Sequence, residues 1–386
     1  MSAGTRPAQQ PAEAATAQWY IGLMSGTSLD GVDGVLAEIS ESGCAVARHA
    51  SAPLAPELRA ELLALNTCGD NELHRAALAA SALARTYAGV VHELLSQSRL
   101  PASTVRAIGA HGQTVRHQPG LHDGTGYTLQ LNNPALLAEA TGITVVADLR
   151  SRDVAAGGQG APLVPAFHRR AFGQAGQAVA VLNIGGIANL SVLGASGATT
   201  GFDCGPGNAL MDHWCQRHQG RLYDEDGSWA ASGQVLPALL QLLLAEPYLA
   251  LPPPRSTGRD LFNPAWLQRC LQAAGASQAR PQDVQASLAE LTARACVQDM
   301  QRHGAGARLL IVCGGGALNG HLMRRLQALL PGVRVESSAH HGLPPLQVEA
   351  AAFAWLARQC LHGLPGNLPA ATGARGPRVL GAIYPA

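Results

Sequence analysis

The most informative absence in this chain of 386 residues is lysine, because all 27 basic residues are arginine. A Walker A nucleotide site needs a lysine for the β- and γ-phosphates, and the protein-kinase architecture needs one on a strand. Schiff-base and pyridoxal-phosphate enzymes also act through a lysine amine. The sequence therefore excludes these classes, and any phosphate must be held by backbone N–H groups, hydroxyls, arginine and a metal ion.

Charged side chains are also scarce, at 14%, and 27 basic against 26 acidic residues give a net charge of +1 at pH 7. A balance this close to zero argues against a nucleic-acid-binding protein and against a polybasic protein of the membrane surface. Hydrophobic residues make up 47%, which is typical of a folded chain rather than a disordered one. The length suffices for two or three domains.

Several signature motifs are missing as well. The eight cysteines form no C-x-x-C pair, the fourteen histidines form no H-E-x-x-H, and G-x-S-x-G does not occur. A zinc framework, a zinc protease and a nucleophile-elbow hydrolase are therefore unsupported. The longest apolar run, 235–244, is too short to cross a bilayer. Residues 1–18 lack the apolar run of a signal peptide and predict a disordered tail, so we expect a cytoplasmic protein with reduced thiols.

Apolar periodicity predicts two similar series of elements along the chain. The first has an antiparallel meander of strands (19–24, 32–39, 44–52), helices at 56–65 and 72–95, a strand at 105–110, a helix at 134–140 and a strand at 144–147. The second has strands at 178–184 and 188–193, a helix after 208, helices near 235–244, 264–273 and 281–303, a strand at 309–312, a helix at 318–330, a strand at 333–336 and a helix at 346–360. The repetition predicts a duplicated α/β fold whose glycine turns converge on a cleft between two lobes.

The first glycine turn is Gly26-Thr27-Ser28-Leu29-Asp30-Gly31-Val32-Asp33. Bare glycine backbone lets N–H groups approach an anion, and the hydroxyls of Thr27 and Ser28 add donors. Asp30 or Asp33 could hold Mg²⁺ through water. An ordinary hairpin turn is the alternative interpretation of the same residues.

The second turn, Asp203-Cys204-Gly205-Pro206-Gly207-Asn208, places a carboxylate at a strand end. Asp203 at the edge of a cleft could act as a general base toward a hydroxyl or a water. Gly205, Gly207 and the following helix N-terminus could hold phosphate oxygens. The alternative is that Asp203 only caps the turn.

The third turn, Gly314-Gly315-Gly316, lies between a strand and a helix and could admit a flat nucleoside. Two other interpretations stay open: a tight strand-to-helix turn, and a dinucleotide fingerprint with Glu336 as the ribose ligand. The third fingerprint glycine is missing, because Asn319 occupies its position.

Polar residues after two predicted strands are further candidates. Arg150 or Arg152 could bind an acidic substrate beside a flexible loop at 157–160, unless they belong to a surface ion-pair cluster. His111 and Gln113 end a buried strand and could hydrogen-bond a polar ligand.

Together these blocks resemble the bacterial anhydro-N-acetylmuramic acid kinase family, within the sugar-kinase/Hsp70/actin fold group. The resemblance runs from about 19 to 385 and is carried by seven segments: 22–33, 110–114, 157–165, 183–189, 203–208, 256–259 and 313–316. Three places depart from the family pattern: Cys204 stands for Thr, Asn132-Asn133 for Gly-Asp, and residues 343–346 for an acidic stretch.

The resemblance implies an α/β, two-lobed, actin/hexokinase-like (ribonuclease H-like) fold with a central cleft. We expect 19–150 plus 368–386 to form the first lobe and 151–367 the second. The implied enzyme is a phosphotransferase that uses ATP and water to open the 1,6-anhydro bridge of 1,6-anhydro-N-acetylmuramic acid. Its products would be N-acetylmuramic acid 6-phosphate and ADP, formed in peptidoglycan recycling.

The resemblance also implies roles for particular residues. Asp203 becomes the catalytic residue, and Glu349 lies near the sugar. With the motifs above, the expected substrate-binding residues are Glu349, His111, Gln113 and Arg152, and Asp30 is the metal candidate. The expected ATP-binding residues are Gly26, Thr27, Ser28, Leu29, Asp30, Gly31, Val32, Asp33, Gly205, Gly207, Gly314, Gly315 and Gly316.

The implied cofactors are ATP and Mg²⁺, and the implied partners are a small sugar and a second copy of the chain in a homodimer. Three other functions stay open. They are a non-catalytic sugar or nucleotide sensor of the same fold, an NAD-dependent oxidoreductase, and a plain glycosidase with two carboxylates.

Overall fold

The computed structural model describes residues 17–26, 29, 31–41, 43–258, 260–304 and 306–386. Most of the predicted tail, 1–18, lies outside these ranges, but Gln18 is already part of the first strand. Thr27, Ser28 and Asp30 of the first glycine turn also lie outside the described residues. The predictions that place them at nucleotide and metal therefore stay predictions.

The first series of elements runs from the first strand to the short helix that follows the seventh strand. In chain order it contains β1 (Gln18–Met24), β2 (Gly31–Ile39), β3 (Cys44–Pro53), α1 (Pro56–Ala64), α2 (Glu72–Ser98), β4 (Val105–Ala110), β5 (Gln113–Pro119), β6 (Gly126–Leu131), α3 (Pro134–Thr141), β7 (Val145–Ala147) and α4 (Ser151–Ala155).

The second series repeats the meander and adds more helices. In chain order it contains α5 (Val164–Phe172), β8 (Val179–Ile184), β9 (Ile187–Leu193), β10 (Thr199–Pro206), α6 (Ala209–Gln219), α7 (Ser228–Ala231), α8 (Pro237–Leu244), α9 (Pro264–Ala273), α10 (Pro281–His303), β11 (Leu309–Cys313), α11 (Gly320–Leu329), β12 (Arg334–Ser337), α12 (Val348–Leu361), α13 (Pro369–Thr372) and β13 (Ala382–Tyr384).

Two sheets share one topology. In the first, β1, β2 and β3 form an antiparallel meander, and β4 and β7 extend it in parallel on the other side of β1. In the second, β8, β9 and β10 form the meander, and β11 and β12 extend it in parallel beside β8. The strand orders, β3-β2-β1-β4-β7 and β10-β9-β8-β11-β12, are therefore equivalent, and β13 adds one antiparallel strand to the first sheet. This confirms the duplicated, ribonuclease H-like α/β fold.

Alternating side chains explain how the sheets are layered. Val179 and Val181 of β8 point toward a middle layer, whereas Ala180 and Leu182 point to the outer helices. The middle layer lies between the two sheets and contains α5 and α12. Helices α1 to α3 cover the outer face of the first sheet, and α6 to α11 cover that of the second.

Helix α12 lies unusually close to the first sheet because two strands carry glycine where it crosses them. A Cβ atom on Gly22 of β1 would lie 1.8 Å from the carbonyl oxygen of Ala350. A Cβ atom on Gly109 of β4 would lie 2.0 Å from that of Phe353. Only glycine allows this approach, which fixes the position of the first turn of α12.

Several predicted elements differ from the structure. The hairpin β5–β6 was not predicted because its strands are polar and half exposed. The helix predicted at 318–330 is a 3-10 turn, Gly315–Leu318, followed by α11, whose start is capped by the Asn319 side chain. The helices predicted from 235 and 346 begin at Pro237 and Val348. Short 3-10 turns also occur at Ala102–Thr104, Glu225–Gly227, Pro247–Ala250, Ser338–His341 and Pro345–Gln347.

The C-terminal segment returns to the first sheet through β13, which pairs antiparallel with β7. Helix α12, which the prediction assigned to the second lobe, packs on β1, β2 and β4 of the first sheet as well as on the middle layer. The lobe boundaries at 150 and 367 stay a prediction. No helix among the described residues has the length and apolar character that would be needed to cross a membrane.

Candidate active site

A cleft of about 1510 Å³ opens where the turns of both sheets meet. Its walls come from the turn after β1, the turn after β8, the turn after β11, the end of β10 and the first turn of α12. The equivalent hairpin turns of the two meanders thus lie in one cavity. Of the predicted glycine turns, those that contain Gly26 and Gly314 place glycines on this one cleft.

The first glycine turn lines the cleft through Gly26, Leu29, Gly31 and Asp33. The Leu29 N–H donates to the Gly26 carbonyl oxygen at 3.2 Å, and Leu29 has a left-handed backbone with φ of 57°. The Asp33 carboxylate contacts His49 Nε2 at 3.0 Å. Val32 differs from the others, because its side chain is fully buried in the outer core of the first sheet and does not line the cleft.

The turn before α6 is arranged differently from the expectation. The N–H groups of Gly207, Asn208 and Ala209 donate to the carbonyl oxygens of Gly186, Gly185 and Gly186, at 3.0, 2.8 and 3.2 Å. These donors are therefore engaged within the protein, and neither Gly205 nor Gly207 lines the cleft. The prediction that Gly205, Gly207 and this helix N-terminus hold phosphate is not supported.

Those two glycines have packing reasons instead. A Cβ atom on Gly207 would lie 2.2 Å from the Gly185 carbonyl oxygen. Gly205 has φ of 145°, and a Cβ atom there would meet Leu249 at 2.8 Å. The contact with the Gly207 turn holds the Gly185–Gly186 turn, which does line the cleft, in place.

The third glycine turn divides between cleft and core. Gly314, with φ of 77°, and Gly315 line the cleft, and the Gly314 N–H donates to the Pro345 carbonyl oxygen at 3.0 Å. Gly316 is buried against Ile184 and does not line the cleft. Glu336, the ribose ligand of the dinucleotide interpretation, is paired with His341 at 2.9 Å outside the cleft lining, which argues against that interpretation.

Asp203 is a buried carboxylate that faces the cleft from β10, beside a bulge in the pairing with β9. One of its oxygens, Oδ2, accepts the Thr257 N–H at 3.0 Å. Burial raises the pKa of Asp203 to about 7, although the Thr257 N–H and the cations of Arg150 and Arg255 act in the opposite direction. A carboxylate with such a pKa can accept a proton near neutral pH.

Arg150 is the cation that lies among the acidic residues of the site. Burial lowers the pKa of Arg150, while the charges of Glu349, Asp203 and Asp153 act to raise it. Its Nη1 donates to the Gly160 carbonyl oxygen at 2.7 Å, and Nε and Nη2 donate to His111 Nε2 at 3.1 and 3.0 Å. The guanidinium is thus held by His111 and Gly160, close enough to Asp203 and Glu349 for their charges to act on it.

His111 is neutral in this arrangement. Its Nδ1 faces the Ser25 carbonyl oxygen at 3.3 Å, so the proton is assigned to Nδ1 and Nε2 is the acceptor for Arg150. Burial and the Arg150 charge lower the pKa of His111 to about 3. Gln113 lies next to it and accepts the Ser25 hydroxyl at 2.6 Å. Both His111 and Gln113 line the cleft, and their role as substrate-binding residues stays a prediction.

Arg152 does not join these residues. It is exposed on α4 and is not part of the cleft lining, so the structure favours Arg150 of the two predicted arginines. The loop at 157–160 is also tied down rather than flexible. The buried carboxylate of Asp153 accepts the Gly160 N–H at 2.8 Å, the Asn367 amide at 2.7 Å and the Thr372 hydroxyl at 2.8 Å.

Glu349 is half-buried in the first turn of α12 and lines the cleft. Its position follows from the close contact of α12 with Gly22 and Gly109. The family departure before it is accommodated, because Pro345 belongs to a 3-10 turn and receives the Gly314 N–H. Of the other departures, Asn133 caps α3 at Leu136 N, and Cys204 is fully buried.

Two buried residues around Asp203 were not predicted. The Tyr248 hydroxyl and Arg255 Nε both donate to the Asp203 carbonyl oxygen, at 2.9 and 3.0 Å. They lie around the connector that contains Pro252 to Pro254, where the sequence has no periodicity. The available signals for Arg255 were the three prolines directly before it and the family segment 256–259 directly after it.

Metal binding has limited support from protein side chains alone. Within the described residues, no group of three or more His, Cys, Asp or Glu side chains is placed to hold a metal ion. Mg²⁺ in nucleotide sites commonly takes one or two carboxylates together with phosphates and water. The cleft-lining carboxylate of Asp33 fits such a donor set, and Asp30, the predicted ligand, lies outside the described residues.

Comparisons with known proteins identify the family of the chain. The sequence pattern of the family described as anhydro-N-acetylmuramic acid kinase matches residues 18–386. A protein of that name from Variovorax paradoxus is 68% identical over 372 residues, which are 95% of this chain and 99% of the relative. One from Albidiferax ferrireducens is 61% identical over 387 residues, with 95% and 99% covered.

Solved structures with a similar fold are far more distant. Component A of (R)-2-hydroxyglutaryl-CoA dehydratase from Acidaminococcus fermentans has 10% identity and a TM-score of 0.47, with 87% of this chain and 96% of that chain covered. This likeness is too remote to carry an argument about the site. The match to the family pattern and the identity with its members are decisive: the chain belongs to the anhydro-N-acetylmuramic acid kinase family.

Proposed function

We propose that this protein uses ATP and water to convert 1,6-anhydro-N-acetylmuramic acid into N-acetylmuramic acid 6-phosphate and ADP. Family membership over nearly the whole chain supports the reaction. The observation that carries the mechanism is the buried Asp203 carboxylate, which faces the cleft with a pKa of about 7 and has Arg150 as a neighbouring cation. A base with this pKa is matched to neutral pH.

In the proposed mechanism, ionised Asp203 accepts a proton from a water molecule as the water oxygen attacks the anomeric carbon. The bond between that carbon and O6 breaks. O6 then forms a bond to the γ-phosphorus of ATP, and the bond from that phosphorus to the bridging oxygen breaks to release ADP. The atoms balance, with the proton of the water left on Asp203 and returned to solvent.

Arg150 and Glu349 are proposed to hold the sugar around this reaction. Neutral His111 and the Gly160 carbonyl occupy one side of the Arg150 guanidinium. The remaining N–H groups of the guanidinium can donate to an anionic or hydroxyl oxygen of the substrate. The Glu349 carboxylate lines the same cleft and can accept hydrogen bonds from sugar hydroxyls.

The triphosphate is proposed to lie along the turns at Gly26, Gly185 and Gly314, all of which line the cleft. With no lysine in the chain, backbone N–H groups and arginine are its expected donors. Mg²⁺, when bound with the phosphates, supplies neutralisation of the charge that develops on the transferred group. Asp33 is the described carboxylate at the first turn that would hold it, directly or through water.

A coupled ADP-release assay tests the proposal, with 1,6-anhydro-N-acetylmuramic acid as substrate and N-acetylmuramic acid and glucose as controls. ADP release with the anhydro-sugar alone among the three is the expected result. Asp203→Asn should lower kcat by at least ~100-fold, the lower end for loss of a general base. Near-normal turnover in a folded Asp203→Asn protein would remove Asp203 from this role.

The rival functions give different outcomes in the ADP-release assay or in a parallel measurement of sugar opening or cofactor binding. A sensor would bind ligand and release no ADP. A glycosidase acting through Asp203 and Glu349 would open the sugar without ATP. Binding of a nicotinamide cofactor would revive the dinucleotide interpretation, which the pairing of Glu336 with His341 disfavours.

We further propose that the protein works in the cytoplasm, where ATP is available, and contributes to peptidoglycan recycling there. A homodimer is proposed from the family resemblance, and sedimentation of the purified chain would test it. The near-zero net charge gives no support for nucleic acid or a membrane as a partner.

A further inference from the structure

One short segment holds Asp203 by three different groups. The Asp203 N–H donates to the Arg255 carbonyl oxygen at 3.2 Å, and the Asp203 carbonyl oxygen accepts Arg255 Nε at 3.0 Å. Two residues later, the Thr257 N–H donates to the Asp203 carboxylate at 3.0 Å. The main chain and the side chain of Asp203 are therefore both fixed by the segment 255–257.

Arg255 is itself held on every side. Its side chain is 3% exposed and forms an ion pair with Asp299 of α10, whose side chain is 2% exposed. Its Nη1 donates to the Leu251 carbonyl oxygen. The guanidinium carbon lies 5.2 Å from the ring centre of Phe202 and 5.3 Å from that of Tyr248. A planar guanidinium with this many partners has one available orientation.

The same segment reaches the cleft. Ser256, Thr257 and Gly258 all line it, and the Ser256 hydroxyl donates to the Gln159 side chain at 3.2 Å. Arg255 itself does not line the cleft and does not reach the reacting atoms. Its contacts run to the backbone of Asp203 on one side and to α10 on the other.

We propose that Arg255 is a positioning residue for Asp203, and that the buried Asp299 carboxylate holds Arg255 in the orientation this requires. The proposal rests on the function proposed above for Asp203. It states that the Arg255–Asp299 pair sets both the position of the Asp203 carboxylate and the charge that surrounds it.

The charged and titratable groups around Asp203 make the proposal testable by pH. Arg150 lies before α4 with Glu349 near it, Arg255 and the neutral Tyr248 lie around the proline connector, Asp299 and His303 lie on α10, and the Cys204 thiol contacts Asp299. The Arg255 cation favours the ionised form of Asp203, and Asp299 partly neutralises that cation. Removing Arg255 should therefore raise the pKa of Asp203, whereas removing the Asp299 charge should lower it.

The experiment compares full-length Arg255→Gln, Arg255→Lys and Asp299→Asn with the parent in the ADP-release assay across pH. Because Asp203 must be ionised, the acid limb of kcat/KM should move up by about one pH unit in Arg255→Gln and down in Asp299→Asn. For Arg255→Gln, kcat should fall by about tenfold or more while KM for ATP stays within about twofold. Arg255→Lys keeps the cation and should restore the parental acid limb.

Glu290→Gln is the matched control. Glu290 is also a buried carboxylate of α10 paired with arginine, in this case with Arg294 and Arg325 at 2.7 and 2.8 Å. Loss of the Glu290 charge should lower the free energy of unfolding about as much as Arg255→Gln or Asp299→Asn does. The acid limb of kcat/KM should stay at the parental pH. Shifts of Arg255→Gln and Asp299→Asn in the same direction, or no shift in either, would overturn the positioning role.

The failure of this proposal can be told from failure of the proposed function. If the parent releases no ADP, the reaction is wrong, and the ¹³C titration of the Asp203 carboxyl then replaces turnover as the readout. That signal is identified by its loss in Asp203→Asn. The pKa of this signal is compared between Asp299→Asn and Arg255→Gln, with Arg255→Met used if Arg255→Gln does not fold. Shifts of the pKa in opposite directions support the proposal. Shifts in the same direction, or no shift, refute it.

Discussion

Replacing Gly22 by alanine should displace α12 and with it the part of the cleft that carries Glu349. The new Cβ atom would lie 1.8 Å from the Ala350 carbonyl oxygen and 2.6 Å from the Ala354 nitrogen. Both are helix backbone atoms, so no side-chain rotation can relieve the overlap. Helix α12 and β1 must move apart, and the middle layer between the two sheets loses its packing.

The magnitude follows from the distances. Ordinary van der Waals contact begins near 3.4 Å, so α12 must move away from β1 by roughly 1.6 Å. A displacement of this size largely removes the dispersion contacts between closely packed groups. Overpacking of a core by one methyl group costs about 1–3 kcal/mol, and rigid backbone obstacles place this site at the upper end. We expect Gly22→Ala to lower the free energy of unfolding by about 3 kcal/mol.

Urea unfolding followed by circular dichroism measures this loss. Gly109→Ala should behave alike, since its Cβ atom would meet the Phe353 carbonyl oxygen at 2.0 Å. Gly89→Ala is the control, because Gly89 lies on α2 with no atom within 4 Å of the added methyl group. In this control, stability should rise by about 0.5–1 kcal/mol. A Gly22→Ala protein within about 0.5 kcal/mol of the parent would refute the reasoning.

Three further predictions concern buried polar groups. Because the pKa of Asp203 rises from 3.8 in a free side chain to about 7 in the fold, its stabilising effect is complete at low pH and is lost as the pH rises toward 7. The unfolding free energy of Asp203→Asn minus that of the parent should therefore grow by at most about 4 kcal/mol as the pH rises from 3.8 to about 7. Urea titrations measure this difference, and a difference that does not change with pH would contradict the prediction. Asp153→Ala leaves three buried donors without an acceptor and should lower the free energy of unfolding by about 3 kcal/mol. In thermal or urea unfolding, a loss below about 1 kcal/mol would show that other contacts hold the loop at 157–160. The imidazole of His111 should stay neutral from about pH 8 to pH 5 in ¹⁵N NMR spectra, and a titration near pH 6.5 would contradict its contact with Arg150.

The sequence pattern was sufficient for the elements that form the two meanders. Strands such as β4, which is buried at five of its six positions, and long helices such as α10 are recognisable because their apolar residues follow one period. The hairpin β5–β6 escaped prediction because it is polar and pairs only with itself. Helix α11 was extended too far toward its N-terminus because the apolar side chain of Leu318 continues the helical pattern into a 3-10 turn.

The position of a site residue could be predicted where the residue belongs to a recognisable sequence motif. It could not be predicted where hydrogen bonds between separate parts of the chain determine the role of the residue. Asp203, His111 and Gln113, which were proposed from motifs, line the cleft, and so does Glu349, which was expected only from the family resemblance. The glycines of the Gly205–Gly207 turn were expected to bind phosphate, but the hydrogen bonds to the Gly185–Gly186 turn come from a distant part of the chain. No local pattern contains that pairing.

Arginines show the same limit. Arg150 and Arg152 are two positions apart in the sequence, and only the start of α4 decides that one points into the cleft and the other to solvent. The sequence around Arg255 does not reveal its partners, because Asp203 and Asp299 lie 52 and 44 residues away. Long-range hydrogen bonds of this kind have to be read from the fold.

The apolar layer between the two sheets also governs how the molecule can come apart. Strands β1, β2 and β4 bury one side of α12, and β8 and β11 contribute to the same layer from the other sheet. Neither half therefore has a complete hydrophobic core when the other half is removed. The chain should melt in a single calorimetric peak, and gene fragments that encode either half should give insoluble products unless both are synthesised together.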